Sequence, residues 1–156
     1  DVYKRQELTA LGADLVVGED DGDVVKNTLA LLDGKRPVLA SNAVGGESAL
    51  RLMDMLAPGG SMVTYGAMSR KSIKVPNGFL IFKGIKLEGL WVTQWLKNAP
   101  VSEIEAAYEK LARLMADGRL KQAVDTVYPL SDVRKAVEKA QEEFRSGKVV
   151  LSMDCA

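Results

Sequence analysis

Apolar positions in this chain fall in short clusters whose spacing switches between two periods, and the switches divide its N-terminal part into alternating helices and strands. Glu7-Leu8-Thr9-Ala10-Leu11-Gly12 reads as the end of a helix with Gly12 as its C-terminal cap, and Asp14-Leu15-Val16-Val17 follows as a short apolar strand. Asp21-Gly22-Asp23 is a turn with helix-capping chemistry, after which Val24, Val25, Leu29, Leu31 and Leu32 keep a loose helical spacing up to Asp33-Gly34. Pro37-Val38-Leu39-Ala40-Ser41 predicts a buried parallel strand, and Glu47 to Ala57 a helix closed by Pro58-Gly59-Gly60. Ser61-Met62-Val63-Thr64-Tyr65-Gly66 is the next strand. A parallel pair cannot be closed by a hairpin, so strict alternation with short connections points to strands joined by crossover helices. The expected fold class is α/β, part of a doubly wound parallel sheet.

Ala67 to Lys83 carries Pro76, Asn77 and Gly78 with little periodicity and reads as a long loop before the strand Ile85 to Leu90. Ser102-Glu103-Ile104-Glu105 has the form of a capping box. It opens a helix whose apolar face is Ile104, Ala107, Tyr108, Leu111, Leu114 and Met115, ending at Asp117-Gly118. The character then changes. Ala123 to Tyr128 reads as a strand, and Ser131 caps a helix turning Val133, Ala136, Val137, Ala140 and Phe144 inward. Val149-Val150-Leu151 is a final strand after Gly147. A domain crossing is expected near Leu120, dividing residues 1–119 from 120–156.

Composition narrows the chemistry. The 156 residues, 47% of them apolar, make about one domain's worth of chain able to bury a core. Twenty-one Lys and Arg balance 21 Asp and Glu, which leaves no electrostatic footprint for nucleic acid or an acidic membrane. There is no His, so imidazole acid–base catalysis, a Ser-His-Asp triad and His-ligated metal are excluded from this segment. The single Cys155 allows no internal disulfide and fits a reducing compartment. No apolar run approaches the roughly 18 residues of a membrane span. The chain opens Asp1-Val2-Tyr3, almost directly into a helix end, and so reads as the C-terminal part of a longer protein.

Four places carry possible chemistry. Asn42-Ala43-Val44-Gly45-Gly46-Glu47-Ser48 turns from a strand into a helix at the carboxyl edge of a parallel sheet, where such sheets bind ligands. Pattern alone favours a tight turn, with Glu47 set at the positive helix end, and no Gly-rich phosphate loop of the G-x-G-x-x-G form is present. Thr64-Tyr65-Gly66-Ala67-Met68 also leaves a strand, with residues small enough for a flat ring to approach the backbone; a purely conformational glycine is the competing reading. Leu90-Trp91-Val92-Thr93-Gln94-Trp95 sets two Trp four apart, walling a pocket or filling core. Lys148, beside Gly147, is either a phosphate partner or ordinary solvated surface.

Four stretches together resemble the mitochondrial trans-2-enoyl-CoA reductase family of the medium-chain dehydrogenase/reductase superfamily: Leu11 to Asp14, Asn42 to Ser48, Ala57 to Met68 and Leu80 to Trp91. The first stretch and the Gly59-Gly60 strand are shared across the superfamily. The Asn42 turn, Val63 to Met68 and the run from Phe82-Lys83 to Trp95 are narrower. Two positions depart conservatively: Ala67 stands where a second Gly is frequent, and Leu90 where Phe precedes the first Trp.

The resemblance implies the C-terminal half of a zinc-free, NADPH-dependent reductase of enoyl thioesters, carried on coenzyme A or acyl carrier protein, in mitochondrial fatty acid synthesis; a bacterial source would make it cytoplasmic. It implies a Rossmann-like domain over residues 1–119 and, over 120–156, a segment returning to a GroES-like substrate domain whose remainder, with the catalytic Tyr, lies upstream. Tyr65, Gly66, Ala67 and Met68 would contact the cofactor near its nicotinamide, Leu90, Trp91, Val92 and Thr93 would line its pocket, and Lys148 would reach it from the tail. None of these is a catalytic acid or base, so the segment alone is expected to be inactive. The strand Ile85 to Leu90 would join two copies into a homodimer. A zinc-free quinone reductase of the same superfamily, which should lack the Trp91 and Trp95 pair, and a non-catalytic dinucleotide-binding or dimerisation module are the alternatives.

Overall fold

The computed structural model describes residues 2–19, 21–142 and 147–153, and the chain divides into two compact units, residues 1–97 and 98–156. The first begins with α1 (Val2–Ala10) and α2 (Val24–Leu31). Asp23 caps α2 as its sequence predicts, its side chain accepting from the Lys26 N–H at 3.1 Å. Then follow β1 (Leu39–Asn42), α3 (Gly46–Met55), β2 (Ser61–Thr64), α4 (Asn77–Ile81), β3 (Lys86–Gly89) and α5 (Val92–Asn98). The strands pair in parallel in the order β1-β2-β3, with α3 crossing from β1 to β2 and α4 lying between β2 and β3. This is the expected α/β sheet.

Three expectations for this unit need correction. Asp14 to Val17 does not join the sheet, because a strand needs a neighbour and among the described residues the ladder holds β1, β2 and β3 alone. The stretch Ala67 to Lys83 is not all loop: Pro76 opens the single-turn α4, which an Asn-Gly pair hides from propensity. That stretch also brings Ile73, Val75 and Phe79 against the core. Strand β1 is half-buried rather than buried, since α3 covers the side bearing Ala40 and Asn42 while Leu39 and Ser41 are exposed. Trp91 leads into α5, which contains Trp95.

The core is small and centred on α3. Ala49, Met53 and Leu56 are fully buried against Ala40, Met62 and Ile85. Two cations cap the carbonyl end of α3. Lys83 Nζ donates to the Met53 and Asp54 carbonyls at 3.0 and 2.5 Å, and Arg36 donates to Asp54 at 2.5 Å. Burial, then the charge of Arg36, pushes the Lys83 amine below the ordinary lysine range.

Ahead of α2, the Arg5 guanidinium grips both oxygens of Asp21 at 2.6 and 2.7 Å, and the Gly18 N–H donates to the same carboxylate at 2.7 Å. The Arg5 hydrogen bond, then that of Gly18, holds the Asp21 carboxyl below its usual 3.8. A carboxyl lowered in the folded state contributes stability above its ordinary value and gives it up as pH falls through the folded one. The stability gap between the protein and its Asp21→Asn variant, read from urea midpoints, should therefore be present at pH 7 and shrink below about pH 4. A gap that does not change with pH would contradict this role.

The second unit contains α6 (Val101–Ala116), β4 (Val124–Pro129), a 3₁₀ turn (Leu130–Asp132), α7 (Val133–Gln141) and β5 (Lys148–Ser152). Helix α6 starts at Val101 behind Pro100, so Ser102 lies inside the first turn and is not the cap. Its exit is as predicted: Gly118, at φ +67°, lets the Arg119 N–H reach back to the Leu114 carbonyl at 2.9 Å. Ser131 likewise sits in the 3₁₀ turn, and Asp132 takes the capping position of α7. β4 and β5 pair in parallel, with α7 packed on both as the crossover. Of the face predicted for α7, only Ala136 is buried; Phe144, like Cys155, lies outside the described residues.

Candidate functional site

The register of the sheet brings the carboxyl ends of its three strands into one row. Asn42 is paired with Thr64 and Thr64 with Gly89, so the residues leaving the row are Ala43, Tyr65 and Leu90. Two hydrogen bonds carry the ladder past its end: the Tyr65 N–H donates to the Asn42 carbonyl at 3.0 Å and the Leu90 N–H to Thr64 at 2.8 Å. Tyr65 and Leu90 thus emerge side by side at the edge where open parallel sheets bind ligands.

Asn42 fixes this edge from inside. It is 1% exposed, its Oδ1 accepts from the Val44 and Gly45 N–H groups at 3.2 and 3.0 Å, and its Nδ2 donates to Thr64 Oγ1 at 3.1 Å. One side chain therefore shapes the turn after β1 and ties it to the end of β2. A second set of bonds folds the chain after β2 over that turn. The Met68 and Ser69 N–H groups donate to the Ala43 and Val44 carbonyls, each at 3.0 Å, and Ser69 Oγ donates to Val44 at 2.6 Å.

The glycines answer to this fold-over. At Gly45, which has φ +82°, an added Cβ would lie 2.9 Å from the Lys71 carbonyl oxygen, and at Gly46 one would lie 3.1 Å from Lys71 Cβ. The N-terminus of α3 is thus occupied by the chain's own residues 69–71. Gly66 is required in the same way, because a Cβ there would lie 2.9 Å from the Ala43 carbonyl oxygen.

Tyr65, Ala67, Met68, Leu90, Trp91, Val92 and Thr93 are all exposed, Tyr65 at 58% and Trp91 at 65%, while Trp95 in α5 is half-buried. Tyr65 and Leu90 make an exposed ledge on adjacent strand ends, with Trp91, Val92 and Thr93 following Leu90 along the chain, side chains of the kind that suit a flat, weakly polar ring. Lys148 belongs to the second unit, where it opens β5 with an exposed side chain and donates its N–H to Ala123 at 2.8 Å. Sequence reasoning missed Ser69, a lone Ser in a loop that offers no signal. It quoted Asn42 only as part of a turn.

A family model described as zinc-binding dehydrogenase matches residues 11–151. The chain is 40% identical to the mitochondrial enoyl-[acyl-carrier-protein] reductase of Xenopus tropicalis, over 95% of its own length and 43% of that protein's. It is 38% identical to the protein of the same name from Mus musculus, over 94% and 39%. The chain spans about two-fifths of the length of these curated relatives. Among solved structures it matches an NADPH:quinone reductase from Bacillus thuringiensis, so titled as putative, with a TM-score of 0.84 at 23% identity, over 96% of this chain and 45% of that one. It also matches a quinone oxidoreductase of Pseudomonas syringae with a TM-score of 0.78 at 26% identity, over 97% and 46%. The metal in the family's description has no fit here: the chain has no His, and among the described residues no group of three or more Cys, Asp or Glu side chains is placed to hold an ion. A match spanning nearly the whole chain, on a parallel sheet of the same architecture, shows that it belongs to the zinc-binding dehydrogenase family, within the medium-chain dehydrogenase/reductase superfamily.

Proposed function

We propose that this chain is the cofactor-side part of an NADPH-dependent reductase of trans-2-enoyl thioesters, carried on coenzyme A or acyl carrier protein, that works in mitochondrial fatty acid synthesis. The carrying observation is the exposed ledge of Tyr65 and Leu90 to Thr93 on adjacent strand ends. The relatives named above support the substrate class and the compartment. When bound, NADPH would supply the hydride that reduces the enoyl β-carbon, while the α-carbon takes a proton. The chain's own residues bind and orient: Tyr65 to Met68 border the nicotinamide, and Leu90 to Thr93 wall the pocket. Residues 1–119 belong to the Rossmann-like domain, and 120–156 return to the substrate domain.

The test is a fluorescence titration with NADPH, followed by NADPH oxidation with a short enoyl thioester, on the protein expressed from its complete reading frame. Tyr65→Ala should weaken NADPH binding about tenfold, the cost of truncating an aromatic contact. Unchanged affinity would remove the pocket assigned here, and turnover with a quinone but no enoyl thioester would favour the quinone reductase reading.

The partner we propose is a second copy joined through β3. All four residues of β3 are exposed, and Lys86 and Leu90 direct their N–H groups to β2, which leaves those of Leu87 and Gly89 on the free edge. An antiparallel two-fold pairing centred on Leu87 would set Lys86 opposite Glu88 of the other copy; a shift of one position either way would oppose Lys86 to Lys86 or Glu88 to Glu88. Lys86→Glu should therefore shift the protein toward monomer in sedimentation velocity, and adding Glu88→Lys should restore the dimer. A dimer indifferent to both changes would exclude this register.

A further inference from the structure

We infer that Ser69 is a positioning residue for the cofactor, an inference that rests on the NADPH site proposed above. The exposed arm Tyr65 to Met68 is anchored at one end by β2 and at the other by Ser69. Ser69 makes three hydrogen bonds at once. Its N–H and its Oγ both donate to the Val44 carbonyl, at 3.0 and 2.6 Å, and Oγ accepts from the Lys71 N–H at 3.2 Å. That last bond bends the chain back through Arg70, which holds the unfavourable φ of +55° and places the Lys71 carbonyl against Gly45.

The turn below the arm is rigid, since Asn42 binds both Val44 and Gly45 from a buried position. The arm above has no buried side chain of its own: Tyr65, Ala67 and Met68 are exposed. Its conformation therefore depends on the backbone bonds of Met68 and Ser69, on the Arg70 N–H donating to the Ala67 carbonyl at 2.9 Å, and on the one hydroxyl that reinforces them. A surface that meets its ligand already ordered binds more tightly, because the ordering cost falls on folding and not on association. Ser69 does not border the proposed ring site. It acts through the arm.

The experiment uses the protein from its complete reading frame with Ser69→Ala, Ser69→Thr and Tyr65→Ala side by side. Three readouts are taken: NADPH affinity by fluorescence titration, the split between KM for NADPH and kcat, and amide hydrogen exchange over residues 66–71. Loss of the hydroxyl and its two bonds should weaken NADPH binding about fivefold and raise its KM to match, with kcat at saturating NADPH unchanged and exchange at Met68 and Ser69 faster without cofactor. Ser69→Thr, which keeps the oxygen, should restore both. Normal affinity in Ser69→Ala beside weakened binding in Tyr65→Ala would overturn the role of Ser69 while the site stands. Normal affinity in both would overturn the site and this inference with it. Equal loss in Ser69→Ala and Ser69→Thr would also overturn it, since the oxygen would then not be the cause.

Discussion

Replacing Asn42 by alanine should lower the unfolding free energy by about 3 kcal/mol, because it strands two backbone donors and removes a third bond in one step. The Gly45 N–H is buried with Asn42 Oδ1 as its acceptor, and the Val44 N–H shares that acceptor. Each buried donor left without a partner costs about 1–3 kcal/mol, the less enclosed Val44 falling at the low end. Thr64→Val removes only the bond from Asn42 Nδ2 and should cost about 1 kcal/mol. Urea unfolding of the two variants gives the comparison directly. If Asn42→Ala cost no more than Thr64→Val, the turn would be held by something other than this side chain.

Leu56→Ala should be at least as damaging, at about 3–4 kcal/mol. Leu56 ends α3 with no exposed surface and sits in the one cluster that joins α3 to the sheet, among Met53, Met62 and Ile85. With so few fully buried side chains in that cluster, neighbours have little freedom to close the void. Met53→Leu, at an equally buried position, keeps the volume and should cost less than about 1.5 kcal/mol. A similar cost for both would mean that the site collapses freely and that packing around α3 is looser than its burial indicates.

The features legible in the sequence are those decided by residues close together along the chain. Asp23 sits three residues before the N–H it caps, and Gly118 directly follows the helix it ends, so both were readable. The same local reasoning placed Ser102 as a cap, but Pro100 starts the helix earlier and removes the position. Asp14 to Val17 has the composition of a strand, and composition cannot say which neighbour is present to pair with it. α4 was hidden for the opposite reason. Its Asn77-Gly78 opening is poor helix sequence, and the turn forms where Phe79 reaches the core and Lys83 lies 5.1 Å over the Phe79 ring.

The candidate site divides along the same line. That Tyr65 and Leu90 leave strands could be read from the pattern, but their adjacency depends on the β2–β3 register, which is fixed by contacts across 25 residues of chain. The tight turn at Gly45 and Gly46 is legible in the pattern, yet the reason that they are both Gly is Lys71, far along the sequence, whose carbonyl meets Gly45 and whose side chain meets Gly46. Asn42 and Ser69 carry no pattern at all. Each is explained only by the partner it meets.

The sheet order also sets the sequence in which its parts come loose. Among the described residues β2 alone has a strand on both sides, whereas β1 and β3 each pair on one side only, so wherever no second copy or further strand covers them, brief openings should begin at these outer strands and reach β2 last. The arm from Tyr65 to Met68 hangs from the end of β2. Surfaces that bind ligands are often found on the parts of a protein that open first; here one is suspended from the strand that opens last, and it should hold its shape through fluctuations that fray the sheet on either side.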